Sequence, residues 1–414
     1  MTQPQPQPKL LEIHVLRNFV PSNVNRGEDG APKSCIFGKY PRVRISSQSL
    51  KYRIRTSEEF QRFLRTIAAE NGVRTRQMPN IIMERLEAAG IAEEKRDAVL
   101  PAILAIGTSK NRRKPKNDQL HTEQIIYFKH SEIDLIGDAL EQLIPERTLA
   151  ECKKISREEI EAYVEQHMPP DVPVDMALFG RMITSDTFRN IDSAIQVAHA
   201  VSTNKTDNEI DFFTAVDDLD TGHAGSAMMG YADFSSNTMY EYYNIDLEAY
   251  LRNLLNGDVT EARIAEFKPI LEQILTALVQ AIIYTTPSGK QNSYAAHNVP
   301  AAVLINVKAQ KRPLNLANAF LHPIQPTLET SLLTESIRAL LTHEDQLMTV
   351  YQFPILQQLW LTTESNVTAP ERYTRCENVP TLLEAITEQV SQVTLSSEDD
   401  NLELLNELMA PGGV

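Results

Sequence analysis

The sequence has little of what most catalytic chemistries require. Three cysteines, Cys35, Cys152 and Cys376, stand too far apart for a disulfide framework or a Cys-x-x-Cys metal site. The nine histidines are scattered without ligand spacing, so no metal centre is expected. There is no GxSxG elbow, no HExxH and no GxxxxGK[ST] loop, which argues against a serine hydrolase, a zinc protease or an NTP site. The strongest apolar helical run, Ile274 to Tyr284, is interrupted by Thr276 and Gln280 and falls short of the roughly 18 to 20 residues needed to cross a bilayer. The opening MTQPQPQPK has no apolar core for a secretion signal and reads as a short flexible arm. A cytoplasmic protein with no membrane span, no metal and no cofactor is the expectation.

What is present is a chain of 414 residues, 42% of them hydrophobic, enough to bury a large core. The net charge of −15 argues against a polyanion as ligand when taken alone. The distribution reverses that inference. Between Arg26 and Arg55 stand Arg26, Lys33, Lys39, Arg42, Arg44, Lys51, Arg53 and Arg55 against only Glu28 and Asp29, a local excess of +6. The acidic surplus lies elsewhere, including the C-terminal SSEDDNLELLNEL. A second basic run, SKNRRKPKN at Ser109 to Asn117, reads as a solvated loop.

Hydrophobic periodicity organises the rest. Leu10 to Leu16 and Arg42 to Ile45 read as strands, and Ser46 or Ser47 caps a helix that runs to Gly72. Helix signals then dominate to about Met176, among them the capping box Ser156-x-x-Glu159, and this region reads as a helical insertion. From Ile191 the period becomes two, with Ile191, Ser193, Ile195, Val197, His199 and Val201 on one face of a strand. Asn204 to Asp233, with Gly222, Gly225 and Gly230, suits a long hairpin, and TMYEYYNIDL returns as a strand. A helix from Glu261 to Tyr284 containing Pro269, a strand at Ala301 to Val307 and C-terminal helical segments complete the chain. The order strand, helix, strand, strand, helix, strand is that of an α+β, ferredoxin-like fold, shared with RNA-recognition motifs.

Several residues carry candidate functions. Gln48, Lys51 and Arg55 fall at i, i+3 and i+7 on one helix face beside the anchoring Leu50 and Ile54. With Ser46, Ser47 and the amides at the helix start they would suit a phosphodiester backbone, or else form an ordinary solvated face. Phe212, Phe213, Met228 and Met229 suit either base stacking or core packing. In the loop SGKQNSYAAHN, Lys290, Gln291 and Asn292 could bind phosphate or sugar. The pairs Glu28-Asp29 and Asp217-Asp218 are the compact carboxylates nearest the basic regions; they could hold Mg²⁺ for phosphodiester cleavage, although turn use of Asp is far commoner.

The segments IHVLRNFVPSNVNR, IFGKYPRVRISSQSLKYRIR, DMALFGRMITSD, DSAIQVAHAVSTNKTDNEIDFFTAVDDL, GSAMMGYADFSS, GKQNSYAAHN and PLNLANAF, in this order between Ile13 and Phe320, resemble the CasC family of the RAMP superfamily. These are CRISPR RNA-binding backbone subunits of type I-E Cascade. The resemblance implies a ferredoxin-like palm in three parts (10–56, 181–200 and 234–396, the last with C-terminal helices). It also implies a helical fingers insertion (57–180), a thumb hairpin (201–233), an N-terminal arm (1–9) and an acidic tail (397–414). It implies a non-catalytic role in antiviral defence: copies assemble along the guide, displace its bases periodically and leave the others to pair with target DNA. The partners implied are CRISPR RNA, target DNA, further copies of the chain, and the large, small, 5′-handle-binding and 3′-hairpin-binding subunits. By motif, Arg26, Lys33, Arg44, Ser46, Gln48, Lys51 and Arg55 resemble the palm residues that hold RNA, with Lys290, Gln291 and Asn292 approaching from another side. Met182 is similar to a base-wedging methionine, Phe212, Phe213 and Val216 resemble thumb residues near the kinked nucleotide, and Met229 stands where the family has another apolar residue. The alternative is a metal-dependent RAMP-type ribonuclease that cuts target RNA.

Overall fold

The computed structural model of the protein describes residues 7–67, 71–108, 110–113, 120–169, 171–184, 187–215 and 228–395. The start of the N-terminal arm, Val216, the Asp217-Asp218 pair, Gly222, Gly225 and the acidic tail lie outside the described residues.

A long strand, β1 (Leu10–Ser22), precedes the hairpin strands β2 (Ser34–Phe37) and β3 (Tyr40–Ile45) and the helices α1 (Ser47–Arg55) and α2 (Glu58–Thr66). Then come β4 (Gly72–Thr75), α3 (Met78–Ala88), α4 (Glu93–Ile103), β5 (Ile126–Lys129), α5 (His130–Leu143), α6 (Leu149–Cys152), α7 (Arg157–His167) and α8 (Val174–Phe179). Short strands β6 (Ile195–Val197) and β7 (Ala200–Ser202) lead to β8 (Glu209–Ala215) and to β9 (Met228–Asp246). The remainder is α9 (Leu247–Leu255), α10 (Glu261–Tyr284), α11 (Gln291–Tyr294), β10 (Ala302–Lys308), a 3-10 turn (Leu316–Phe320), α12 (Leu332–Tyr351), β11 (Ile355–Thr362), β12 (Thr374–Arg375) and α13 (Val379–Val390).

The chain divides into two compact units, one of Met1–Phe63, Ile195–Glu248 and Lys268–Val414, the other of Leu64–Ala194 and Ala249–Phe267. The first unit holds a mixed sheet in the order β12-β11-β10-β1-β9-β7-β3-β2, with β6 and β8 also paired to β9. The pairs are antiparallel apart from β11 with β12. Residues 10–17 of β1 are all buried, as befits a central strand covered on both faces. On one face Leu16, Tyr240, Leu304 and Trp360 pack with Ile337 and Leu340 of α12 and with Phe320. That face also buries polar groups. Glu12 pairs with Lys308 and accepts the Tyr242 hydroxyl at 2.6 Å, and His14 Nδ1 lies 2.9 Å from the Tyr240 hydroxyl. The Tyr240 oxygen also accepts Leu316 N–H at 2.9 Å.

The second unit has its own core, in which Met78, Ile82, Leu86, Val99, Ile103, Phe128, Ile136, Leu140, Ile160 and Phe188 are buried together. This unit is mainly helical, but β4 and β5 form a two-stranded sheet inside it. Gly72 opens β4 and does not close a helix; the Tyr127 ring lies over it, 2.3 Å from where a Cβ would stand. The second basic run is partly structural here: Arg112 donates to Ala98 O at 2.5 Å and to Ile155 O, and Arg113 pairs with Glu123.

Other differences from the sequence reading have local causes. The helix expected from Ser47 to Gly72 breaks after Arg55, because Thr56 Oγ1 turns back to Tyr52 O and Ser57 Oγ accepts Phe60 N–H, capping a new helix. The strand expected through Val201 divides into β6 and β7. Ile195 faces Ile245 and Val197 faces Tyr243, but Val201 faces Tyr240, so the register slips by one residue in a β-bulge. The buried positions therefore change from Ile195 to Ala200 and Ser202, and His199 leaves the face it was expected to share. The hairpin and the TMYEYYNIDL strand are continuous, since β9 runs through 19 residues. Near the C-terminus β11 and β12 extend the sheet where only helices were expected. Helix α10 is longer than the Ile274 to Tyr284 run. Among the described helices it alone is long and apolar enough to cross a membrane, yet half of its apolar window is buried, with Leu271, Ile274, Leu278 and Ile282 in the core.

Burial pushes the His14 pKa down from 6.5 to about 3, with the nearby Lys308 adding to the shift. The folded state holds this ring neutral while the unfolded chain takes up a proton below about pH 6.5, so stability is lost as pH falls from 6.5 toward 3. A His14→Gln variant should show a flatter unfolding midpoint between pH 6.5 and 4 than the parent. The difference in slope should not exceed one proton, about 1.4 kcal/mol per pH unit. Thermal melts across that range check it.

Candidate nucleic-acid interface

In the first unit, hydrogen bonds hold three segments together around the start of α1. Leu50 and Ile54 are buried and fix this helix, which leaves Gln48 exposed and Lys51 and Arg55 half-buried at the expected spacing. Ser46 is the N-cap, its Oγ accepting Ser49 N–H at 3.4 Å. Ser46 N–H donates to Asn25 Oδ1 at 2.9 Å, and Ser47 N–H donates to His199 Nδ1 at 3.0 Å. These amides, which the sequence assigned to a phosphate, are thus already used within the protein.

Asn25 belongs to a loop built to close on itself. Arg26 bridges to Pro32, Gly27 N–H donates to Ala31 O at 2.9 Å, and Asp29 Oδ1 accepts Ala31 N–H at 3.1 Å. Arg26 is left exposed, and the Asp29 carboxylate serves a turn. Lys33 N–H donates to Asn25 O and Arg44 N–H to Lys33 O, both at 2.8 Å, which sets Lys33 and Arg44 beside α1. Burial pushes the nearby Cys35 thiol up against the pull of Arg44 and Arg42, so it is no thiolate nucleophile at neutral pH.

The third segment is the loop after α10. Gly289 N–H donates to Val24 O at 3.2 Å, and a Cβ on Gly289 would stand 2.3 Å from that oxygen, so the close approach requires glycine. Arg53 Nε donates to Thr286 O at 3.1 Å and ties the loop to α1. Arg17 fixes both loop ends: Nη2 donates to Ile282 O and Nη1 to Asn298 O, each at 2.7 Å, while Nε pairs with Glu241 at 3.0 Å. Lys290 adopts a left-handed conformation, φ 48°, and Asn292 is exposed. Gln291 differs from the expectation, because its amide donates inward to Pro287 O at 2.8 Å and Ala296 O at 3.2 Å, and its side chain braces the loop.

Strands β8 and β9 project the apolar candidates. Phe212 pairs with Tyr231 and Thr214 with Met229, so Ile210, Phe212, Met229 and Tyr231 share one face. All four are exposed, between 52% and 75%, and are not core in this chain. Phe213 and Met228 lie on the other face, with the Phe213 ring over Gly230. Ile210 and Tyr231 were not singled out from sequence, although a period of two from Phe212 and Met229 points to them. Met182, in the second unit, is 95% exposed. Its neighbours are fixed: Arg181 exchanges backbone hydrogen bonds with Ile191 and pairs with Glu132 at 2.7 Å, and Ile183 N–H donates to Asn190 Oδ1 at 2.7 Å.

Arg42, one of the eight cations in the basic segment, is wholly buried. Its guanidinium donates to the carbonyls of Ser202 (2.9 Å), Thr203 (2.7 Å) and Phe320 (2.6 Å). Among the described residues no cluster of three or more His, Cys, Asp or Glu side chains could hold a metal ion.

Fold and surface together define a mixed α/β protein with clustered cations beside one helix and an exposed apolar two-stranded arm. The chain belongs to the CT1975-like protein family, which matches residues 11–388. Among solved structures it is similar to a chain of a "CRISPR RNA-guided surveillance complex, pre-nicking", at 26% identity and a TM-score of 0.76, over 92% of this chain and 100% of that one. A chain of a second "CRISPR RNA-guided surveillance complex" shares the fold at 21% identity and a TM-score of 0.66, over 92% of this chain and 99% of that one. Comparison with curated proteins gave no match.

Exposure and burial separate surface candidates from structural residues. Arg42→Leu leaves several buried carbonyls unpaired and should lower stability by about 3 kcal/mol or more. Met182→Ala should change it by less than about 0.5 kcal/mol. Urea unfolding of both variants measures the contrast.

Proposed function

We propose that this chain is a non-catalytic, guide-RNA-binding backbone subunit of a type I-E CRISPR surveillance complex. In this reading a split βαβ palm of β1, α1, β7, β9, α10 and β10 grips the sugar-phosphate backbone. The order β10-β1-β9-β7 with antiparallel neighbours supports it. The observation that carries the reading is the hydrogen-bonded convergence of the Asn23 to Lys33 loop, α1 and the loop after α10. It brings Arg26, Lys33, Arg44, Lys51, Arg55, Lys290 and Asn292 into one unit. Cations held on backbone scaffolds suit phosphates, whereas base-edge readout would be useless to a protein that must accept any guide.

The arm residues Phe212, Phe213 and Met229 stack against displaced guide bases, an interaction worth about 1 to 3 kcal/mol per base, and Met182 separately acts as a wedge. The other bases stay free to pair with target DNA. Copies associate head to tail along the guide, one surface of each meeting a different surface of the next. The large, small, 5′-handle-binding and 3′-hairpin-binding subunits complete the assembly, in the cytoplasm.

The test is affinity for unrelated spacer-length single-stranded RNAs as a function of salt. Lys51→Glu/Arg55→Glu should reduce the slope of log K against log salt by about 0.7 for each phosphate that is no longer neutralised, equally for all sequences. Binding indistinguishable from the parent would remove α1 from the interface. Mg²⁺-dependent cutting of a guide-matched RNA, abolished by Asp29→Ala or Asp217→Ala, would instead establish the ribonuclease.

A further inference from the structure

The bulge between β6 and β7 has a local product: it sets the exposed His199 beside the start of α1, where Nδ1 lies 3.0 Å from Ser47 N and 3.2 Å from Arg44 Nη1. Bulges commonly re-aim one side chain in this way next to functional sites. Both neighbours are donors that cannot accept, so Nδ1 carries a lone pair and the ring proton sits on Nε2. We propose that His199 is a positioning residue of the RNA site, its neutral imidazole holding the Arg44 guanidinium at the start of α1 in the orientation that meets an RNA phosphate; this rests on the RNA-gripping reading above.

The charge environment keeps the ring in the form that can do this. Burial, then Arg44 on β3, then Lys33 in the preceding loop hold the His199 pKa below its ordinary value. Protonation would set a third cation between them and turn an N–H toward two donors. The gain from the neutral ring is preorganisation. A free arginine gives up rotamer freedom each time it engages a phosphate, while one already docked on an imidazole gives up less.

The experiment measures affinity of the full-length chain for two unrelated spacer-length RNAs, as a function of salt and between pH 8 and 6. The variants are His199→Leu, His199→Asn, Arg44→Ala, the His199→Leu/Arg44→Ala pair and Lys51→Glu/Arg55→Glu. His199→Leu should lower affinity about five- to tenfold, the range of one neutral to charge-assisted hydrogen bond, with a salt slope reduced by about 0.7. His199→Asn, whose Oδ1 can stand in for Nδ1, should recover most of both. The double variant should bind no more weakly than Arg44→Ala alone, since two residues acting as one unit do not add. Parental affinity should stay level from pH 8 to 6.

The proposal is overturned if His199→Leu binds as the parent does while Lys51→Glu/Arg55→Glu is impaired, or if the effects of His199→Leu and Arg44→Ala add. It is also overturned if affinity and salt slope rise as pH falls, which would make His199 a direct cationic contact. If Lys51→Glu/Arg55→Glu itself binds like the parent, the RNA-gripping reading has failed and the role of His199 falls with it.

Discussion

The antiparallel pairing of β1 with β9 is the constraint on which the first unit depends. From Leu10 opposite Asp246 to Phe19 opposite Asn237 the two strands keep a single register. Each then hands on a feature of the surface. The end of β1 leads into the Asn23 to Lys33 loop, and Asn23 Nδ2 ties that loop to Asp233 O at the root of the arm at 2.8 Å. The far half of β9 becomes one strand of the arm itself. A slip of one residue would move Arg17 off Glu241 and invert the faces of the arm, because the side-chain period of a strand is two. The candidate interface is therefore set by sheet register more than by any single loop.

Much of this was legible in the sequence wherever a signal is local. The apolar pair Leu50 and Ile54 declared the inner face of α1, and runs of apolar and β-branched residues marked the strands now seen as β1 and β10. What escaped were the outcomes decided by partners distant in sequence. The bulge at Ala198–Ala200 depends on the register of β9, some forty residues further on, so an unbroken alternation misplaced His199. Gln291 looked like its neighbours Lys290 and Asn292 because only the folded loop brings the Pro287 and Ala296 carbonyls within its reach.

Counting charges treated the eight cations as one set, and the structure divides them. Of the cations between Arg26 and Arg55, Arg42 is consumed in the interior, and Arg53 reaches a carbonyl of the neighbouring loop. Their charge still contributes to the local potential, since Arg stays ionised when buried against carbonyl dipoles. Positive field and direct contact thus come from different arginines. One set holds the hairpin and the loops in place, and the other stands at the surface those loops define.

The partners of β1 also determine when this protein can finish folding. Leu10 meets Asp246 on one side and Lys308 on the other, so the first strand synthesised waits for residues more than two hundred positions later before either edge is closed. Meanwhile residues Leu64–Ala194, the larger part of a compact unit with its own core, have already left the ribosome. Non-local sheets of this kind are slow to form and leave an open edge during synthesis. The buried Glu12 and His14, which the finished sheet pairs with Lys308 and Tyr240, interrupt the apolar face of that edge and make the waiting strand less prone to pair with another of its kind.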